Sequence, residues 1–439
     1  MKTVTNDHPS RRRALMRGAA GLSGLLLRSL ALGVPPAWLN RPLHAFGQED
    51  MAPQQLLILS TSSAGDPMNA NCPGSYHEGI ENNPLLTPVD FTLGEVTTRA
   101  AEPWSLLPER LRSRLAFIHY QTNSAAHIEY KSTMTFHGSV KNAEGNGSEM
   151  FSSAIADLSH ESIGTLQPEP LPLCKEILTV KGQPLQNLKP TEIKSLFAGN
   201  EGTFSQFQSL RDQVLDGLYA DLRVSGTRTQ RRFLDQYALS REQARALGEN
   251  LGTLLEALPT HPDEANGAVD QAVAAVALAR LKIAPVITIN IPFGRDNHQD
   301  STLTVEAEQT RSGVAAIGRL WDELESADLT EQVTFATMNV FGRTLNRNGA
   351  GGRNHNRRHA VMAAFGPRVR AGVYGGALAN GSCSHIDAVT GAAVSSGGIP
   401  PEHTMESMGK SLAVALGHTR DVAEVRIRGG QVIERFLNV

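Results

Sequence analysis

Gln55-Leu56-Leu57-Ile58-Leu59-Ser60 is apolar through its centre and runs straight into Thr61-Ser62-Ser63-Ala64-Gly65-Asp66-Pro67-Met68-Asn69-Ala70-Asn71, a cluster of small and polar residues. A strand covered on both faces has no cause to alternate apolar with polar. A continuous apolar run that ends in turn formers therefore reads as a buried parallel strand delivering its carboxyl end into a loop. Residues 114–120, 286–290, 333–338 and 360–365 read the same way, each ending in a polar or glycine-rich loop. Helical periodicity marks residues 204–222, 228–258, 263–281, 305–324 and 404–416, the last followed by Gly417 where a helix would be capped. Strand and helix alternate, which predicts an α/β fold with a mostly parallel sheet and helices on both faces. Residues 200–282 contain no strand pattern and read as an inserted helical segment or flank.

Residues 1–45 have a different character. Ser10-Arg11-Arg12-Arg13-Ala14-Leu15-Met16-Arg17 leads into a Gly/Ala/Leu-rich stretch from Gly18 to Val34, then Pro35-Pro36 and a small-residue exit at Leu43-His44-Ala45. That order follows the plan of a signal peptide, and paired arginines before the apolar stretch point to the twin-arginine route. The expectation is a periplasmic or secreted protein whose α/β domain spans 46–439. A membrane anchor needs about 20 predominantly apolar residues, and Arg28 interrupts this stretch, so no lasting anchor is expected. Without residues 1–45 there remain 34 basic and 43 acidic residues, a net charge of −9 against −3 for the whole chain. Such a surface argues against nucleic acid as a partner, and an anionic ligand would have to meet a local basic patch. Cys72, Cys174 and Cys383 are odd in number, which leaves open one disulfide with one thiol over.

In open parallel sheets ligands bind beyond the carboxyl ends of the strands, so the loops there are the places to search. Asp296-Asn297-His298 offers a carboxylate and an imidazole two residues apart, a pair able to hold zinc or another divalent ion once a further histidine joins. His355 is the candidate for that third ligand; a solvated loop in which the aspartate caps a turn is the other reading. The glycine-rich stretch from Arg343 to Arg358 contains five arginines. Arg343 and Arg353 are candidates to hold a phosphate or sulfate through guanidinium forks, against a plain solvated turn. Between His127 and His137 lie Ser132, Thr133 and Thr135, nucleophile candidates if a metal or histidine activates them, although hydroxyls beside histidines are common without catalysis.

Asp296-x-His298, Phe341-Gly342-Arg343-Thr344, Gly351-Gly352-Arg353-x-His355, Gly372-Val373-Tyr374-Gly375 and Asp387-Ala388-Val389-Thr390-Gly391 together resemble the bacterial family catalogued as domain of unknown function 1501, of the alkaline-phosphatase/sulfatase-like superfamily. The resemblance implies a sheet whose strand ends gather two metal sites that clamp a phosphate or sulfate ester. It places Asp66 at the first-strand ligand position, Asp296 and His298 in the second cluster and His355 as the late histidine. Two positions depart from the family pattern: Val340 stands where a glutamate is usual and Asn354 where an aspartate is usual. Each missing carboxylate removes a charge that would compensate a cation, so one ion, or none, is expected. Two functions follow as expectations: a metal-dependent hydrolase acting on an anionic small-molecule ester, or a catalytically degenerate periplasmic binding or assembly protein partnered by another exported polypeptide.

Overall fold

A computed structural model describes residues 54–190, 267–349 and 351–438, with a few positions between 214 and 231. The expected signal segment and most of the helical stretch 200–282 lie outside the described residues. The chain divides into two compact units, and the unit formed by Gly47–Asn187 and Pro262–Val439 carries the sheet.

That sheet has seven strands, numbered in chain order: β1 (Leu56–Ser62), β2 (Leu115–Tyr120), β3 (Leu171–Pro172), β4 (Val286–Ile289), β5 (Val333–Asn339), β6 (Ala360–Phe365) and β7 (Gly372–Tyr374). Their spatial order is β7-β2-β6-β5-β1-β4-β3. All five runs read from the sequence are strands of this sheet, and β1, β2, β4, β5 and β6 are buried at every residue, as strands covered on both faces should be. β1 lies parallel to β4 and β5, with Leu57 opposite Val286 and Leu56 opposite Val333.

Helices cover both faces. Four matter here: α1 (Phe151–Ile163), α2 (Ala268–Arg280), α3 (Thr304–Ser326) and α4 (Thr404–Ala415). Leu57 and Leu59 share a core with Phe151 and Ile155 of α1 and Met408 and Leu412 of α4. On the opposite face Trp321 of α3 meets Phe365 edge-on at 5.5 Å, Phe365 stacks on Phe335 at 5.1 Å, and Trp104 meets Phe117 at 4.9 Å. The sequence reading had no counterpart for α1 or for the antiparallel hairpin of Pro88–Leu93 and Val96–Ala101.

β6 departs from the expected direction, running antiparallel to both β5 and β2. No described helix lies between β5 and β6; the chain instead folds a small antiparallel arm, Gly342–Arg343 against His355–Asn356, and turns back. A connection without a crossover helix delivers an antiparallel neighbour. The consequence is functional: the amino-terminal end of β6, together with His355 and His359 just before it, joins the carboxyl ends of β1, β2 and β5.

His418, just beyond α4, is buried and ties that end of the chain to α1 and to the residue before β1, with Nε2 3.0 Å from Ser159 Oγ of α1 and Nδ1 3.2 Å from Gln54 Nε2. Burial, reinforced by the charges of Arg426 and Arg368, lowers its pKa from 6.5 to about 4. The folded state thus binds fewer protons than the unfolded state between these values. The stabilisation is complete above about 6.5 and is lost as pH falls towards 4. Melting temperature is expected to decline across that window, and His418→Gln to flatten the decline; parallel profiles for the two proteins would refute this role.

Candidate metal centre

At the carboxyl end of the sheet, one ligand atom from each of His127, Asp296 and His355 lies within 4.8 Å of the others. His127 comes from the loop after β2, Asp296 from the loop after β4, and His355 from the arm that precedes β6. His127 Nδ1 is 2.8 Å from the Ser63 carbonyl and His355 Nδ1 is 2.5 Å from the Ala125 carbonyl. A carbonyl only accepts, so both rings carry their proton on Nδ1 and present an Nε2 lone pair. Metal-binding histidines are oriented in this way.

Distances test the fit. Tetrahedral bonds of about 2.0–2.1 Å separate ligand atoms by about 3.3–3.4 Å, and His127 Nε2 lies 3.4 Å from Asp296 Oδ2. His298 Nε2 is 3.6 Å from Asp296 Oδ1 but only 2.8 Å from His355 Nε2. That short separation is a hydrogen bond donated by His298 into the Nε2 lone pair of His355, and the two rings would have to part before His355 could bind an ion. The donor set of imidazoles and one carboxylate, without thiolate, suits zinc or another divalent ion.

Arg343 is fully buried and organises the cluster. Its Nη2 donates to Asp296 Oδ1 at 3.0 Å and to the Ala64 carbonyl at 2.7 Å, its Nε to the Gly65 carbonyl at 2.5 Å and its Nη1 to the Arg353 carbonyl at 3.5 Å. Its guanidinium also lies 5.3 Å from the ring centroid of Phe341, which stacks on His355 at 4.2 Å. Gly65 makes room for that ring: its φ is +64°, and a Cβ there would come within 1.9 Å of Phe341. Burial pulls the Asp296 carboxyl upward, but Arg343, His298 and His127 prevail and hold it below its usual pKa. It is ionised and ready to bind a cation.

Other residues singled out in the sequence have structural partners. Asp66 lies outside the three-residue cluster: it is buried, and its Oδ1 accepts from the backbone N–H of Phe293 at 3.0 Å and of Arg295 at 2.8 Å. It thereby holds the bend at Gly294 (φ +124°) and Arg295 (φ +46°) that leads into Asp296. Neither expected anion fork is free. Arg353, fully buried, spends its donors on both oxygens of buried Glu306 and on the carbonyls of Thr344, Leu345 and Glu81. Thr133 and Thr135 donate to the carbonyls of Val340 and Ser132, and Ser132 Oγ lies 3.1 Å from His137 Nδ1. Among the described residues none of these hydroxyls hydrogen-bonds to the cluster. Val340 lies in the apolar core, while exposed Asn354 accepts from Asn348. Cys72, Cys174 and Cys383 are free and buried, so the possible disulfide is not formed.

His127 is the member of the cluster with no counterpart in the sequence analysis, where it stands only as a neighbour of hydroxyls. Its position in a polar loop directly after a strand was the available signal, the same one that drew attention to Asp296.

The profile of a family described as a protein of unknown function (DUF1501) matches residues 209–402. That span includes Asp296, His298, Arg343, Arg353 and His355 and begins after Asp66 and His127. No curated protein matches the chain.

Arg353→Ala would leave the Glu306 carboxylate buried without its cation, a loss expected to cost about 3–5 kcal/mol. Urea denaturation measures it. A change under about 1 kcal/mol would mean that Arg353 is not the internal partner described.

Proposed function

We propose that this chain is an exported protein with a single divalent-metal centre at His127, Asp296 and His355, and that it hydrolyses an anionic phosphate or sulfate ester there. The observation that carries the reading is the convergence of two imidazoles and a carboxylate, with both rings locked by backbone carbonyls so that Nε2 faces inward. Three protein ligands with a further position open is the pattern of catalytic rather than structural zinc sites. Charge supports an anionic substrate. Asp296 and Arg343 neutralise one another, so a bound dication would keep its charge for the ligand. An ion there would polarise an ester oxygen and lower the pKa of a water. The chain's own part is to hold the donors in place: Arg343 fixes Asp296, and the Ser63 and Ala125 carbonyls fix the two rings.

A second reading, a non-catalytic periplasmic binding or assembly protein, is favoured by one observation. The two arginines expected to grip an anion are committed internally, and Val340 and Asn354 supply no second set of carboxylates. In that case the partner is another exported polypeptide.

Metal content separates the readings. Elemental mass spectrometry of the purified, tag-free protein should find about one ion per chain, lost in His127→Ala and in Asp296→Ala, with phosphate- and sulfate-ester hydrolysis lost in the same variants. A folded parent that takes up no metal would remove the hydrolase reading and leave the binding protein.

A further inference from the structure

Behind Arg343, away from the ligand atoms, runs a hydrogen-bonded chain whose members are all buried. The side chain of Asn69 brackets the peptide of Arg343: Oδ1 accepts from its N–H at 3.0 Å, and Nδ2 donates to its carbonyl at 2.8 Å. Nδ2 also lies 3.1 Å from His359 Nδ1, His359 Nε2 lies 2.8 Å from His119 Nδ1, and His119 Nε2 lies 2.8 Å from the Pro73 carbonyl. Asn69 is 1% exposed, and His119 and His359 are 0% exposed.

The direction of every bond follows from the two ends. The Pro73 carbonyl only accepts, so His119 carries its proton on Nε2 and accepts on Nδ1. His359 must then donate from Nε2, which leaves its Nδ1 to accept from the Asn69 amide. Every donor meets an acceptor, provided both imidazoles are neutral. Burial favours that state, lowering His119 from 6.5 to about 4 and His359 well below its usual value.

Arg343 links what this chain holds to all three ligands. Its guanidinium reaches Asp296 directly; it grips the carbonyls of Ala64 and Gly65, beside the Ser63 carbonyl that orients His127; and its backbone pairs with His355. There is little slack, because a Cβ on neighbouring Gly342 would lie 2.0 Å from the His359 carbonyl oxygen. A shift of this peptide moves the supports of every ligand at once.

We propose that Asn69, His359 and His119 are positioning residues that set the metal affinity of the His127–Asp296–His355 cluster by fixing the peptide of Arg343, an inference that rests on the metal-centre reading above. The chain touches no ligand atom. It acts through hydrogen-bond direction, so a side chain able to accept at one end and donate at the other replaces His359, whereas an apolar side chain of similar size does not.

The test titrates the full exported chain, metal-free, with zinc and with cobalt against a competing chelator, beside circular dichroism to verify folding. His359→Leu should weaken binding by about 10–100-fold, the range found when outer-shell partners of metal ligands are removed. His359→Gln, which can accept from Asn69 and donate to His119, should remain within about threefold of the parent. Asn69→Ala, which creates space rather than strain, should weaken binding like His359→Leu and keeps the test decisive if that variant does not fold. A folded His359→Leu or Asn69→Ala protein with parental affinity, or a His359→Gln protein as weak as His359→Leu, overturns the positioning chain and leaves the metal centre standing. A parent that binds neither ion overturns both.

Discussion

The guanidinium of Arg343 is the interaction on which the site depends. Burying a cation is costly unless its charge is opposed and its N–H groups are all received. Here Asp296 supplies the charge and receives one N–H, and the carbonyls of Ala64, Gly65 and Arg353 receive three more. Those acceptors sit on three separate stretches of chain, each leaving a different part of the sheet. Satisfying one buried cation therefore brings the loop after β1, the loop after β4 and the arm before β6 into a single arrangement.

The same arrangement explains why the charges around the cluster are few. Asp66 is spent on two backbone N–H groups and shapes the approach to Asp296. Glu306, fully buried, accepts from Asn71, Asn83, Asn297 and Arg353 and anchors the neighbouring loops. Carboxylates and arginines that look like site chemistry in a linear reading form an internal lattice beneath it. What reaches the surface of that lattice is one aspartate and a group of imidazoles, a donor set of the kind that suits a divalent ion.

Much of the fold was legible because its signals are local. The apolar runs of β1, β2, β4, β5 and β6 are buried on both faces, and that environment leaves an unbroken pattern in the residues themselves. α3 and α4 repeat with helical period for the same reason. The direction of β6 was not legible, since an apolar run reads alike from either end and only its neighbours orient it. α1 is polar over part of its length, with Ser152, Ser153 and Ser159 buried, and its pattern did not stand out. At the site, Asp296, His298 and His355 stood close to recognisable motifs. His127 stood by itself, more than 160 positions before Asp296, and spacing along the chain says nothing about a ligand that arrives from another strand.

The sequence by itself determined the layered α/β architecture, the end of the sheet where polar loops collect, and two of the three residues that converge there. It did so because burial and strand-end loops are properties of contiguous residues. Only the tertiary structure decided which polar residues gather in the cluster and which turn inward as struts. That choice depends on hydrogen bonds between distant stretches: Asp66 to Arg295, Arg353 to Glu306, Arg343 to Asp296. Identical side chains become scaffold or site according to partners that the linear order does not reveal.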